Sequence, residues 1–128
     1  MAASIIQQKS YAFACRIVKA CKYLLSEPRE FVLSKQLVRS GASVGANVEE
    51  ALAASSTADF VHKLDIAAKE ARETSYWLRL LHDNGFLPTA AFDSIYARNL
   101  EISKIIFRIL LTTKEKEKAK TQLITHNQ

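Results

Sequence analysis

The sequence is short of every residue that makes turns or staples. It has 3 glycines, 2 prolines and 2 cysteines in 128 residues. So few turn formers exclude an all-β chain with its many tight connections, and two thiols exclude a disulfide scaffold. No apolar run approaches the roughly 18 uninterrupted residues of a membrane span. The N-terminus lacks the basic flank, apolar run and cleavage site of a secretory signal. Cys15 and Cys21 lie six apart, which on a helix turns them about 120° from each other and places them poorly for mutual pairing. Both thiols are expected to be buried and free, in a chain that reads as cytoplasmic. Acids are missing from one place in particular: residues 1–26 carry Lys9, Arg16, Lys19 and Lys22 and no carboxylate.

What is present is helical. Hydrophobic residues make up 48% of the chain and charged residues 24%, a globular composition. Apolar side chains recur at steps of three, four and seven throughout. The first stripe is Ile6, Phe13, Ile17, Ala20 and Leu24; the second is Leu33, Leu37, Gly41, Val44, Val48 and Leu52. The third runs through Phe60, Leu64, Ala67, Ala71, Thr74, Leu78 and Leu81. The fourth is Phe92, Ile95, Tyr96, Asn99, Ile102, Ile106 and Leu110. Pro28 suits a first helical turn, Ser56 with Asp59 resembles a capping box, and Asn84-Gly85 is a helix stop before Pro88. The spacing predicts helices over 4–25, 28–54, 57–84 and 88–114, with 115–128 as a frayed basic tail. Short connections force neighbours antiparallel. The expected fold is all-α: one domain over 1–128, an up-down-up-down four-helix bundle.

Three helices carry more than a core stripe. Tyr11, Val18 and Leu25 form a second apolar group on helix 1, which reads either as a broad core face with partly exposed rings or, the favoured reading, as a subunit interface. Helix 2 has a polar stripe of Gln36, Ser40, Ser43, Asn47 and Glu50, where small hydroxyl residues permit close helix approach. Packing within one bundle, contact between subunits and a ligand site all fit it, with packing favoured. Helix 3 carries Lys63, Glu70 and Trp77 at seven-residue steps, with Glu73 one turn before Trp77 and Lys69 able to pair with it. These residues, with Arg39, read as a polar network at a bundle edge or an interface.

Catalytic and metal chemistry is not expected. The three histidines form no i, i+4 pair, and no His-Glu-x-x-His occurs. A di-iron bundle needs Glu-x-x-His elements on two helices. Glu70-x-x-Glu73 is not that motif, and its acids are about 60° apart on the helix. No strand precedes a glycine-rich loop, so no phosphate cradle is present. The expectation is a non-enzyme without cofactor or metal.

Net charge is +5, from 18 basic and 13 acidic residues, and it is unevenly placed. Residues 1–26 hold four basic and no acidic residues, and 104–120 hold six basic and two acidic, so each carries +4. Residues 27–103 hold eight basic and eleven acidic residues, or −3. In an antiparallel bundle the first and last helices are neighbours, so the two basic segments share a face. Lys9, Arg16, Lys19, Lys22, Lys104 and Arg108 are therefore candidate phosphate contacts, with the lysines of 114–120 as a supplement. Such contacts read backbone rather than sequence, which suits RNA or DNA and is compatible with shape recognition of duplex RNA. The alternative is a protein-interaction scaffold acting on a partner encoded nearby.

One block of the sequence resembles a known family. Gln36-Leu37-Val38-Arg39-Ser40, Ser43-Val44-Gly45-Ala46-Asn47-Val48-Glu49-Glu50-Ala51 and Lys69-Glu70-Ala71-Arg72-Glu73-Thr74 are similar to the four-helix bundle proteins encoded by intervening sequences of bacterial 23S ribosomal RNA genes. Asp59-Phe60, Lys63-Leu64, Ile66-Ala67, Trp77-Leu78 and Leu80-Leu81 continue the match, which covers about residues 8–110. Where many members have a Glu-Gly pair followed by Arg, this chain has Glu50-Ala51 and then Ala54-Ser55. The resemblance implies a homo-oligomer, a five-membered barrel of bundles. It extends to the basic pentameric accessory protein of diversity-generating retroelements, which binds nucleic acid and a reverse transcriptase.

Overall fold

A computed structural model describes residues 2–126, with side chains from Ile5 through His126. The four hydrophobic stripes become four helices: α1 (Ala2–Ser26), α2 (Val32–Leu52), α3 (Thr57–Asp83) and α4 (Thr89–His126). Each packs on its neighbours in chain order, α4 closes on α1, and the diagonal pairs stay apart, giving a square bundle. The centres of the stripes are buried, with Phe13, Ile17, Leu37, Val44, Leu64, Leu78, Ile102 and Ile106 among the most enclosed side chains. Only stripe ends, Leu33, Leu52, Phe60 and Phe92, and Tyr96 beside the core are half-buried, as helix ends splay toward solvent.

The seams differ. Gly41 brings α2 so close to α1 that a Cβ there would sit 2.8 Å from Ile17 Cγ1, and one at Gly45 would sit 3.2 Å from the Ser10 carbonyl oxygen. Between α2 and α3 the buried hydroxyls of Ser40 and Thr74 lie 3.0 Å apart. Between α3 and α4 the fully buried Asn99 donates to the Ala71 carbonyl at 2.7 Å and to Ser75 Oγ at 2.8 Å. The α1–α4 seam is the sparsest.

Two boundaries depart from the sequence expectation. Helix 2 starts at Val32 rather than residue 28. Pro28 is followed by Arg29 at φ 56°, left-handed backbone that no α-helix continues through. The chain re-enters helix under Glu30, whose carboxylate accepts the N–H groups of Val32, Leu33 and Ser34 at 3.2, 3.0 and 2.8 Å. An anion on orphan N–H donors is the stabilising arrangement for a helix start. Glu30→Ala should cost about 1–2 kcal/mol, read as a lower urea midpoint at unchanged slope; Glu30→Gln, which keeps an acceptor, should cost less.

The second departure is the tail. It continues α4 as helix through His126 instead of fraying after residue 114; residues 127–128 lie outside the description. Propagating a helix already nucleated in the bundle needs far less than starting one. Lys114 reaches Asp65 at 3.7 Å, and Thr121 and Thr125 bond the carbonyls of Glu117 and Thr121. The remaining punctuation stands where the sequence puts it. Ser56 Oγ accepts from Asp59 N at 3.1 Å, and Gly85 has φ 80°.

Candidate nucleic-acid interface

Sparse packing between α1 and α4 follows from small residues. Ala12 and Ala20 on α1 and Ala91 on α4 leave shallow grooves where larger residues would interlock. One groove of about 350 Å³ is walled by Lys9, Arg16, Arg98 and Glu101 over Phe13 and Ile102. Sharing Arg16, a second of about 270 Å³ continues along Lys19 and Tyr23 to Pro88. Lys104 and Arg108 line a further depression formed by α4 alone. The two seam grooves carry four cations and a single acid, Glu101.

Glu101 sits between two of the cations, 3.3 Å from Lys9 Nζ and 3.6 Å from Arg98. Arg16 donates from Nη1 to Ser94 Oγ at 2.7 Å, which holds its guanidinium over the seam. All three contacts are solvent-exposed or partly so, and such pairs contribute little to stability. They orient the cations without neutralising the row.

Of the sequence candidates, Lys9, Arg16 and Lys19 converge on the seam; Lys104 and Arg108 do not, since they lie on the outer face of α4 and Lys104 also borders α3. Nor does Lys22 join the seam. Three residues beyond Lys19 it is rotated about 60° further around α1, and it lines neither groove. Arg98 is the cation the sequence reading passed over. It belongs to the net-acidic middle segment, yet one position before the buried Asn99 it falls on the flank of the core stripe that faces α1. A helical wheel of α4 reveals it; a segment charge sum does not.

The remaining candidates occupy other faces. Tyr11 is 69% exposed, and Val18 and Leu25 are exposed beside it, so the second apolar group of α1 is not used in the bundle. On the α2–α3 side, Arg39 bridges Glu70 at 3.3 Å and Glu73. The two acids therefore converge on one guanidinium, although their 60° separation on α3 suggested otherwise, and Glu73 pairs with Arg39 rather than Lys69. Asn47 bonds within its own helix, to the Ser43 carbonyl and hydroxyl at 2.9 and 3.1 Å. Ser40 is the stripe residue that bonds across helices. Glu50 is exposed and Lys63 half-buried, and neither forms an ion pair among the described residues. Trp77 meets Tyr76 edge-on at 5.0 Å, and its indole nitrogen is shielded from solvent without an acceptor among the described residues.

The thiols separate. Cys21 is buried against the Ser34 carbonyl, while Cys15 is exposed, contrary to expectation, because it falls outside the α1 core stripe. Burial pushes the Cys21 thiol from its ordinary 9.0 up to about 11. A thiol reagent near neutral pH should label Cys15 alone in the folded chain and both cysteines in denaturant. The fold should also weaken as pH rises from 9.0 toward about 11, since the unfolded chain then releases a proton the folded chain retains; Cys21→Ala should flatten that decline. Among the described residues no group of three His, Cys, Asp or Glu side chains is placed to hold a metal ion. No described helix is long and apolar enough to cross a membrane.

Comparison with known proteins gives a consistent result. The model of a family described as 23S rRNA-intervening sequence protein matches residues 3–108. No curated protein matches significantly. Among solved structures, the chain is similar to a Bacteroides thetaiotaomicron VPI-5482 protein of unknown function from the S23 ribosomal protein family. The two share 46% identity at a TM-score of 0.85, over 86% of this chain and 98% of that one.

Proposed function

The chain belongs to the 23S rRNA-intervening sequence protein family, and from that premise we propose that it is a non-catalytic, cytoplasmic RNA-binding protein that works as a homo-oligomer. One observation carries the reading: the α1–α4 seam sets Lys9, Arg16, Lys19 and Arg98 in one surface with only Glu101 against them. Phosphates replace the exposed internal partners of these cations at little cost, and released counterions drive the binding. Shallow, largely apolar grooves suit a ligand recognised by shape and backbone, such as a structured RNA or DNA segment.

Oligomerisation is part of the proposal. Tyr11, Val18 and Leu25 give each protomer an apolar face to cover, and a pentamer like that of the resembling bundle proteins multiplies +5 to +25. The likeness to the accessory proteins of diversity-generating retroelements, basic and nucleic-acid-binding, fits the same reading. Light scattering of the full chain at micromolar concentration should exceed the 14.3 kDa of one protomer; that mass itself would refute the oligomer.

Binding is tested by a salt series with a labelled RNA hairpin. Affinity should fall linearly in log[salt], with a slope of about −0.7 to −0.9 per phosphate contacted. A flat response, or no retention at low salt, sinks the reading. A second reading, a scaffold for a protein encoded nearby, is favoured by Trp77, whose shielded N–H lacks an acceptor among the described residues beside the Arg39–Glu70–Glu73 cluster. It requires partner binding to be lost in Arg39→Ala while RNA binding is absent altogether.

A further inference from the structure

A separate surface lies between α3 and α4, on the side of α4 turned away from α1. A groove of about 510 Å³ runs there, lined by Ala68 and Arg72 of α3 and by Leu100, Lys104, Phe107 and Leu111 of α4. Leu100, Phe107 and Leu111 are 43%, 64% and 48% exposed. Their steps of seven and four put them on one stripe. The α4 core stripe, Ile95 through Leu110, is already buried and reaches the groove only at Leu110, so this second stripe is left largely uncovered by the bundle. A solvated helix face mixes Lys and Glu; one that repeats large apolar side chains in register with a groove has something to cover.

Charge identifies the occupant. Neither Arg72 nor Lys104 has an acidic partner within ion-pair distance among the described residues, and the one acid that lines the groove, the half-buried Asp65, is met by Lys114 at its end. We infer that the α3–α4 groove docks an amphipathic helix of a partner protein, its apolar stripe seated on Leu100, Phe107 and Leu111 and its acidic flank on Arg72 and Lys104. A channel between antiparallel helices accepts the ridge of a third helix, the arrangement by which grooves take amphipathic segments. The chain's own protruding arm from a second copy does not suit the groove, because Lys114, Lys116, Lys118 and Lys120 repeat the sign of the rim. Nucleic acid does not suit it either: the floor is aliphatic apart from Phe107, whereas single strands stack on successive aromatic rings.

The probe is a fluorescein-labelled synthetic helix with a leucine stripe flanked by glutamates, and its counterpart with lysines for the glutamates, titrated into the full chain. The acidic helix should bind and the lysine counterpart at least about tenfold more weakly. Phe107→Ser and Arg72→Glu should each weaken the acidic helix about tenfold. Raising salt to about 0.5 M should shrink the Arg72→Glu effect and spare that of Phe107→Ser. Both sites are exposed, so both variants should melt with the parent, and neither lines the α1–α4 grooves. Indifference to peptide charge or to both variants overturns the proposal. So does a fall in light-scattering mass for Phe107→Ser, which makes the occupant a second copy. An RNA hairpin affinity that falls as far as the peptide's makes it nucleic acid and overturns it too.

Discussion

Arg16→Glu with Lys19→Glu should weaken RNA-hairpin binding by about 30-fold or more at low salt and make the log–log salt slope about two units shallower. Both residues line the α1–α4 grooves, and Arg16 is held there by Ser94. A charge-matched control separates location from net charge. Lys22→Glu with Lys35→Glu makes the same change of −4 at exposed sites outside those grooves. A diffuse field would treat the two pairs alike, whereas phosphate contact at the seam predicts only a few-fold loss for the control. Glu101→Gln should act in the opposite direction, because it removes the one acid from the row and frees Lys9 and Arg98. Equal losses from the two charge-reversed pairs would place the RNA elsewhere on the protein.

The contrast between Lys22 and Arg98 shows which part of the site was legible in the sequence. Segment charge pointed to α1 and α4, which are basic over long stretches and which chain order makes neighbours. Segment charge has no angular content, however. It admitted Lys22, which is rotated away from α4, and passed over Arg98, which sits among acids in sequence but beside α1 in space. The Arg39 bridge had the same cause. On α3 alone Glu70 and Glu73 diverge by 60°, and they converge only because a long side chain arrives from α2.

The fold was more accessible, since the apolar period of each helix is a one-dimensional signal. Its misses are local backbone events. Arg29 adopts left-handed φ with a side chain that does not announce it, and Glu30 caps from one position before the N-cap, so neither matches the usual Ser, Thr, Asp or Asn pattern. The tail reads as frayed because composition reports solvation, whereas its helicity comes from the turn that precedes it.

Gly41→Ala should be the most destabilising of the glycine-to-alanine changes at the α1–α2 seam, by about 2–3 kcal/mol, or a fall of roughly 10 °C in Tm. In an exposed helix the same change gains up to about 1 kcal/mol from propensity. Here the new methyl group would lie 2.8 and 2.9 Å from Cγ1 and Cγ2 of Ile17. Ile17 is fully buried, and a β-branched side chain on a helix has essentially one χ1 well, so it has no rotamer into which to retreat. Gly45→Ala should cost less, about 1 kcal/mol, since its single tight neighbour, the Ser10 carbonyl oxygen, is 3.2 Å away. A double-mutant cycle isolates the cause. In an Ile17→Ala background, where both clashing carbons are gone, Gly41→Ala should be neutral or stabilising, which makes the coupling larger than about 1 kcal/mol. Denaturation at one fixed protein concentration keeps any association constant. If Gly41→Ala costs the same with and without Ile17, close approach is not what the glycine supplies. If the coupling is found, one packing choice shapes both the fold and the candidate site: α1 is drawn against α2 by glycine, and its other flank stays lightly packed against α4, along the grooves that Lys9, Arg16 and Lys19 line.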